Sequence, residues 1–124
     1  MAWADSEGNR VGRSVRLADT PVGCRFYFAY DPRQLTGEIR FQRVSTATEA
    51  FNAVANAATG HPEFVDDRGI GDGGSISIRR DLQGVPSWEC LFSHGRLIVS
   101  VHTSQSNTSN NARTLARLIA AALR

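Results

Sequence analysis

The chain has no lysine. All fourteen basic residues are arginine, against twelve Asp and Glu, for a formal net charge of +2. Such a skew has two sources: arginine codons displacing lysine codons in a GC-rich genome, or guanidinium groups recruited to read phosphate or carboxylate. The arginines are scattered along the sequence, which favours the compositional source. A charge this small, with no basic stretch, argues against a nucleic-acid partner. No apolar run approaches the roughly 18 residues that cross a bilayer, so no transmembrane segment is expected. Met1-Ala2-Trp3-Ala4-Asp5 has neither a basic start nor an apolar centre, so no signal peptide is legible. At 124 residues, 41% hydrophobic and 21% charged, the expectation is a single globular domain over residues 13–124, behind a polar, flexible arm at 1–12.

Cysteine is scarce too, and its two copies are informative. Cys24 leads Arg25-Phe26-Tyr27-Phe28-Ala29-Tyr30, and Cys90 lies between Trp88 and Phe92. Both stretches read as strands, which point alternate side chains to opposite faces, so each thiol shares a face with bulky apolar residues. The alternative to a pair of buried thiols is a disulfide, Cys24 to Cys90, and the sequence reading favours the disulfide. In the chain-entropy account a loop of that length stabilises by roughly 4 kcal/mol. A disulfide implies an oxidising compartment and hence an extracytoplasmic, secreted or membrane-anchored protein, whose leader lies upstream of Met1. Redox activity is not expected without a Cys-x-x-Cys spacing.

Periodicity supplies the fold class. Short alternating stretches at 13–17, 24–30, 38–44, 75–79, 87–93 and 96–103 read as strands, the last two as a hairpin around His94-Gly95. In the hairpin this loop pairs Ser93 with Arg96, Cys90 with Val99 and Trp88 with Val101. Thr46-Ala47-Thr48-Glu49 matches a capping box, and Ala50, Phe51, Val54, Ala55 and Ala58 follow at helical spacing to about residue 59. A second helix at about 111–123 carries Leu115, Leu118, Ile119 and Ala122 on one stripe. The expectation is an α+β domain of order β-β-β-α-β-β-β-α, with a mostly antiparallel sheet of five to six strands packed with two helices.

Several motifs offer chemistry. Gly69-Ile70-Gly71-Asp72-Gly73-Gly74 satisfies Gly-x-Gly-x-x-Gly in letters, but a strand follows where a dinucleotide site needs a helix, so a flexible turn is the better reading and no cofactor is expected. Asp66, Asp67 and Asp72 do not keep the spacing of a calcium loop, and two cysteines on separate strands without matched histidines make a weak metal site, so no metal is expected. Glu89, Ser100 and His102 fall on one predicted outer face and invite a small envelope hydrolase. No Gly-x-Ser-x-Gly elbow accompanies them, and solvated polar surface accounts for them better. Arg25, Tyr27, Arg40, Arg79, Arg96 and His102 project from the same predicted face, with Glu38 and Glu89 as counter-charges. An arginine–tyrosine surface suits an acidic partner, a phosphorylated ligand or a cell-envelope polyanion, although an ordinary half-solvated sheet face with balanced charge accounts for it better.

Asn9-Arg10-Val11-Gly12, Gly23-Cys24-Arg25-Phe26-Tyr27-Phe28, the alanine-rich first helix and the Ala-Arg-Leu-rich final helix carry a likeness. The chain resembles a domain-of-unknown-function family of actinobacterial exported proteins, many of them lipoproteins. It is also similar to the wider group of small mycobacterial-type lipoproteins with sheet-plus-helix domains of Mog1/PsbP-like architecture. The resemblance implies a secreted or cell-envelope setting, with any lipid anchor upstream, and offers no catalytic residue to carry over. The expected function is therefore non-catalytic binding of a protein partner or cell-envelope ligand, not enzyme activity.

Overall fold

Alternation at period two runs through most of the chain, and each alternating stretch becomes a strand. The computed structural model describes residues 3–5, 7–81, 84–104 and 108–124. Strands β1 (Val11–Leu17), β2 (Val22–Phe28) and β3 (Leu35–Arg43) lead into helix α1 (Ala47–Ala55). Strands β4 (Phe64–Asp67), β5 (Ser75–Arg79), β6 (Trp88–His94) and β7 (Leu97–Thr103) follow, then helix α2 (Asn110–Ala122). One antiparallel sheet takes all seven strands in the order β1-β2-β3-β7-β6-β5-β4. The α+β class is as expected, with seven strands in place of five to six. The additional one is β4, which precedes the Gly69–Gly74 loop and pairs with β5 across it.

Both faces of the sheet are occupied. On one, Phe26, Ile39, Trp88, Cys90, Phe92, Val99 and Val101 form the main core with Trp3, Ile70 and the α2 residues Ala112, Leu115, Ala116 and Ala120. On the other, α1 packs against β5, β6 and β7 and buries Ala50 and Val54. Phe51, Val54 and Ala55 of the helix line a groove together with Ile76 and Ser93. The helices thus lie on opposite faces. Over β1, β2 and β3 the α1 face carries polar side chains instead of a helix.

The α1 start follows the capping box in a shifted form. Thr46 Oγ1 accepts from the Glu49 N–H at 3.0 Å, while Glu49 Oε2 accepts from Ser45, one residue before the cap, at 3.1 Å. Regular helix stops at Ala55, and three-residue-spaced bonds carry the turn to Gly60 in the left-handed region at φ 80°. In α2 the expected stripe is rotated: Ala112, Leu115, Ala116 and Ala120 are buried, whereas Leu118 is 44% exposed. The hairpin turns at Gly95-Arg96 rather than His94-Gly95, with Gly95 at φ 56° as the first central residue, so Cys90 pairs with Val101 and Trp88 with Thr103. A shift of two residues preserves the faces.

Two expectations are overturned. Residues 3–5 and 7–12 are not a loose arm: Trp3 is 6% exposed in the main core, Ala4 pairs antiparallel with Arg10, and Val11 already belongs to β1. Met1, Ala2 and Ser6 lie outside the described residues. Nor is there a disulfide. Cys24 pairs with Ile39, Ile39 with Val101 and Val101 with Cys90, so the thiols do share a face but are separated by three strand spacings, roughly 14 Å. Bridged cysteines need Cα atoms within about 7 Å. Both are free: Cys24 is half-buried, and Cys90 is buried, its thiol pushed up by that burial.

Candidate functional site

The row adjacent to the cysteines points to the other face and is polar. Arg25 on β2 pairs with Glu38 on β3, Glu38 with His102 on β7, and His102 with Glu89 on β6. Two rows along, on the same face, Arg40 pairs with Ser100. Direct cross-strand partners lie close enough for side chains of this length to touch, so register alone assembles the site.

The contacts form two linked knots. Glu38 Oε1 accepts from Arg25 Nε at 2.7 Å and from Arg40 Nη2 at 3.4 Å, and Arg40 Nη1 also donates to the Pro21 carbonyl at 2.6 Å. Burial pushes the Glu38 carboxyl up, but the two guanidinium groups outweigh it and hold the carboxyl below its ordinary range. The second knot centres on Glu89. Its Oε2 accepts from Ser100 Oγ at 2.7 Å, and its Oε1 faces Arg80 Nε at 3.1 Å. His102 stands between the knots. Burial pushes its imidazole pKa down, helped by Arg80, against the pull of Glu89 and Glu38. It is therefore neutral at neutral pH.

At the β1 side, the Arg13 guanidinium lies 4.1 Å from the centre of the Tyr27 ring and donates to the Pro32 carbonyl at 3.1 Å. The surface thus combines one aromatic ring, four guanidinium groups (Arg13, Arg25, Arg40, Arg80) and two carboxylates. Its excess charge is positive.

Of the residues expected on this face, Arg25, Tyr27, Arg40 and His102 are there. Arg79 is not: it pairs with Trp88 across the register and is held by Asp81 and Glu63. The reason lies in Ser75-Ile76-Ser77-Ile78. The serines face the main core beside Cys90, and the isoleucines turn to the α1 face, the reverse of what a sheet with one buried face requires. Arg96 is also elsewhere, exposed in the hairpin turn with its Nε on the Val44 carbonyl at 3.3 Å. Arg13 and Arg80 were not anticipated. Arg13 follows from counting β1 against Tyr27, and Arg80 lies just past β5, where no strand parity applies.

Glu89, Ser100 and His102 do come together. Yet Ser100 donates to Glu89 rather than to His102, and the other oxygen of Glu89 is engaged by Arg80. Among the described residues, Ser100 and His102 share no hydrogen bond. A nucleophilic serine needs a free base as its acceptor, which this arrangement does not provide.

A second feature lies outside the site. Asp67, at the end of β4, accepts from Arg113 Nε and Nη2 at 3.2 and 2.8 Å, from Arg117 Nη2, and through Oδ1 from the Gly69 N–H at 2.9 Å. Arg113, with the backbone bond and Arg117, outweighs burial and holds the Asp67 carboxyl below its usual range. The glycine loop beyond it is not a loose turn: Ile70 is buried in the main core, and Asp72 accepts from the Gly95 N–H at 2.6 Å. A strand follows this loop, as expected. Among the described residues no three His, Cys, Asp or Glu gather to hold a metal ion, and no helix is long and apolar enough to cross a membrane. No protein-family model matches this sequence, and no curated protein matches it either.

Proposed function

We propose that the chain is a non-catalytic binding domain that engages an acidic partner surface through the part of the α1 face carrying Arg13, Arg25, Tyr27, Arg40, Arg80 and His102. The observation behind it is the pre-ordered row from Arg25 through Glu38 and His102 to Glu89. Its guanidinium groups are already fixed by Glu38 and Glu89, so a partner carboxylate meets positioned donors and costs little side-chain entropy. Guanidinium groups held in place beside the half-buried Tyr27 ring also suit a surface that selects by charge and shape.

The test uses a ten-residue oligoglutamate as probe and amide chemical shifts as readout. Perturbations confined to Arg13, to β2, β3 and β7, and to the Arg80–Glu89 pair, and lost in Arg25→Glu and Arg40→Glu variants that keep their melting transition, support the reading. Shifts that map elsewhere, or persist in both variants, refute it. The setting we propose is the cell envelope, on the resemblance to exported proteins alone, because the sulfur argument for it no longer stands. Fractionation of cells expressing the full gene decides this, and a product confined to the cytoplasm refutes it.

A further inference from the structure

We propose that the outer edge of β1 accepts an extended acidic segment of a partner protein, which joins the sheet as an additional strand. The two edges of the sheet are guarded unequally. β4 has four residues, begins shortly after Pro62, and is clamped at Asp67 by two arginines of α2. Short, charged, side-covered edges resist pairing. β1 has seven residues with an exposed centre, and among the described residues nothing pairs with the outer side of Arg13–Leu17.

Register shows which backbone groups are free. Phe28 donates its N–H to the Gln34 carbonyl, on the β3 side, at 3.1 Å. Phe26 and Cys24 therefore also turn their backbone groups to β3, and Tyr27, Arg25 and Gly23 turn theirs to β1. Their partners Arg13, Val15 and Leu17 are thereby engaged. The N–H and C=O groups of Ser14 and Arg16 point to the open edge. Just upstream, the same edge already takes a strand: Ala4 pairs antiparallel with Arg10, and the Asp5 N–H donates to the Asn9 carbonyl at 3.0 Å.

The charge of the edge selects its occupant. β1 carries Arg13 and Arg16 and no carboxylate. Arg13 lies on the Tyr27 face and Arg16, opposite Cys24, on the other. An incoming strand meets one guanidinium on each face, three positions apart, which matches an extended segment with acidic residues at that spacing. A second copy of this chain fits worse, since it would bring four arginines and no carboxylate to one seam. The backbone ladder supplies affinity and the two ion pairs set register. The proposal goes beyond the face reading above and shares only Arg13 with it: Ser14 and Arg16 are not part of the Arg25–Glu89 row, so Ser14→Pro tests the edge without touching that face.

The experiment titrates the protein with a capped threonine–valine peptide of about ten residues carrying two glutamates three positions apart, and with its glutamine counterpart. The glutamate peptide is expected to bind roughly three- to tenfold more tightly at low salt, two cross-strand ion pairs' worth. It should also slow hydrogen exchange at the Ser14 and Arg16 amides. Ser14→Pro removes an outward N–H at an edge position that tolerates proline, leaves the ladder to β2 intact, and should abolish binding. The double charge reversal R13E/R16E should transfer the preference to a lysine peptide, and it decides alone if Ser14→Pro fails to fold. Equal affinity for both peptides, no binding of either, or binding unchanged by the charge reversal overturns the proposal. So does a dimer that Ser14→Pro dissolves, which would give the edge to a second copy.

Discussion

Removing the carboxylate of Asp67 should loosen the union between the β4 edge and α2, and the cost can be worked from the contacts. Only a tenth of the Asp67 side chain reaches solvent, and Arg113, a quarter exposed, gives it two of its bonds. Arg117 is half exposed, so its contribution is screened and small. Asp67→Ala removes charge-assisted bonds worth roughly 2–3 kcal/mol together and strands the Arg113 guanidinium. It also frees the Gly69 N–H. For a domain of this size each kcal/mol moves the melting midpoint by roughly 4 °C, so a fall of about 10 °C is expected at pH 7. Asp67→Asn, which keeps the shape and one weaker bond, should cost about half as much.

Urea unfolding followed by tryptophan fluorescence suits the measurement, because Trp3 and Trp88 are both buried. The sign of the pH effect follows from linkage. The folded carboxyl sits below its ordinary value, so its stabilisation is complete above roughly pH 4 and is lost as the pH falls through the depressed folded value. The gap between wild type and Asp67→Ala should therefore narrow as the pH falls below about 4. A cost under about 0.5 kcal/mol at pH 7, within the range of ordinary surface changes, refutes the clamp. So does a gap that does not narrow in acid.

Other consequences are simpler to check. A Cβ at Gly23 would run into the Ile39 carbonyl oxygen, which is backbone and cannot swing aside, so Gly23→Ala should destabilise by at least the roughly 1–3 kcal/mol of an overpacked core. A thermal melt unchanged by that substitution contradicts the β2–β3 register. His102 is held below its ordinary pKa by burial, so folding should weaken as the pH drops below about 6.5 and through the folded value, and His102→Gln should remove that part of the slope. An NMR titration placing His102 above 6.5 contradicts the burial described here. Thr46→Ala removes the side-chain acceptor of the α1 start and should cost roughly 1 kcal/mol in a denaturation curve.

Much of the framework was legible because parity survives errors of position. Cys24, Phe26, Ile39, Phe41, Val99 and Val101 lie on the face that alternation gives them, and the misplaced hairpin turn moved partners by two residues without exchanging faces. The capping box marked α1 because its bonds are local. Strand neighbours are another matter. Alternation places Cys24 and Cys90 on one face but does not reveal that β3 and β7 stand between them. The same blindness hid β4, whose Phe64-Val65-Asp66-Asp67 has no strand signal of its own and exists through its ladder to β5. Arg79 was misassigned because a strand reading with one buried face sends isoleucine inward, whereas here both faces of β5 are covered. Arg25, Tyr27, Arg40 and His102 needed parity alone, and parity was enough.

The register that holds the sulfurs apart also builds the polar row, since Cys24–Ile39–Val101–Cys90 and Arg25–Glu38–His102–Glu89 are consecutive rows of the same four strands. Thiol counting on protein purified under air, with no reductant added, tests that register most directly. Half-buried Cys24 should react with Ellman's reagent in the folded protein, and buried Cys90 only after denaturation, giving two thiols in all. Protein that shows no thiol until a reductant is added has bridged its cysteines, and the sheet order on which the proposed binding surface depends would be wrong.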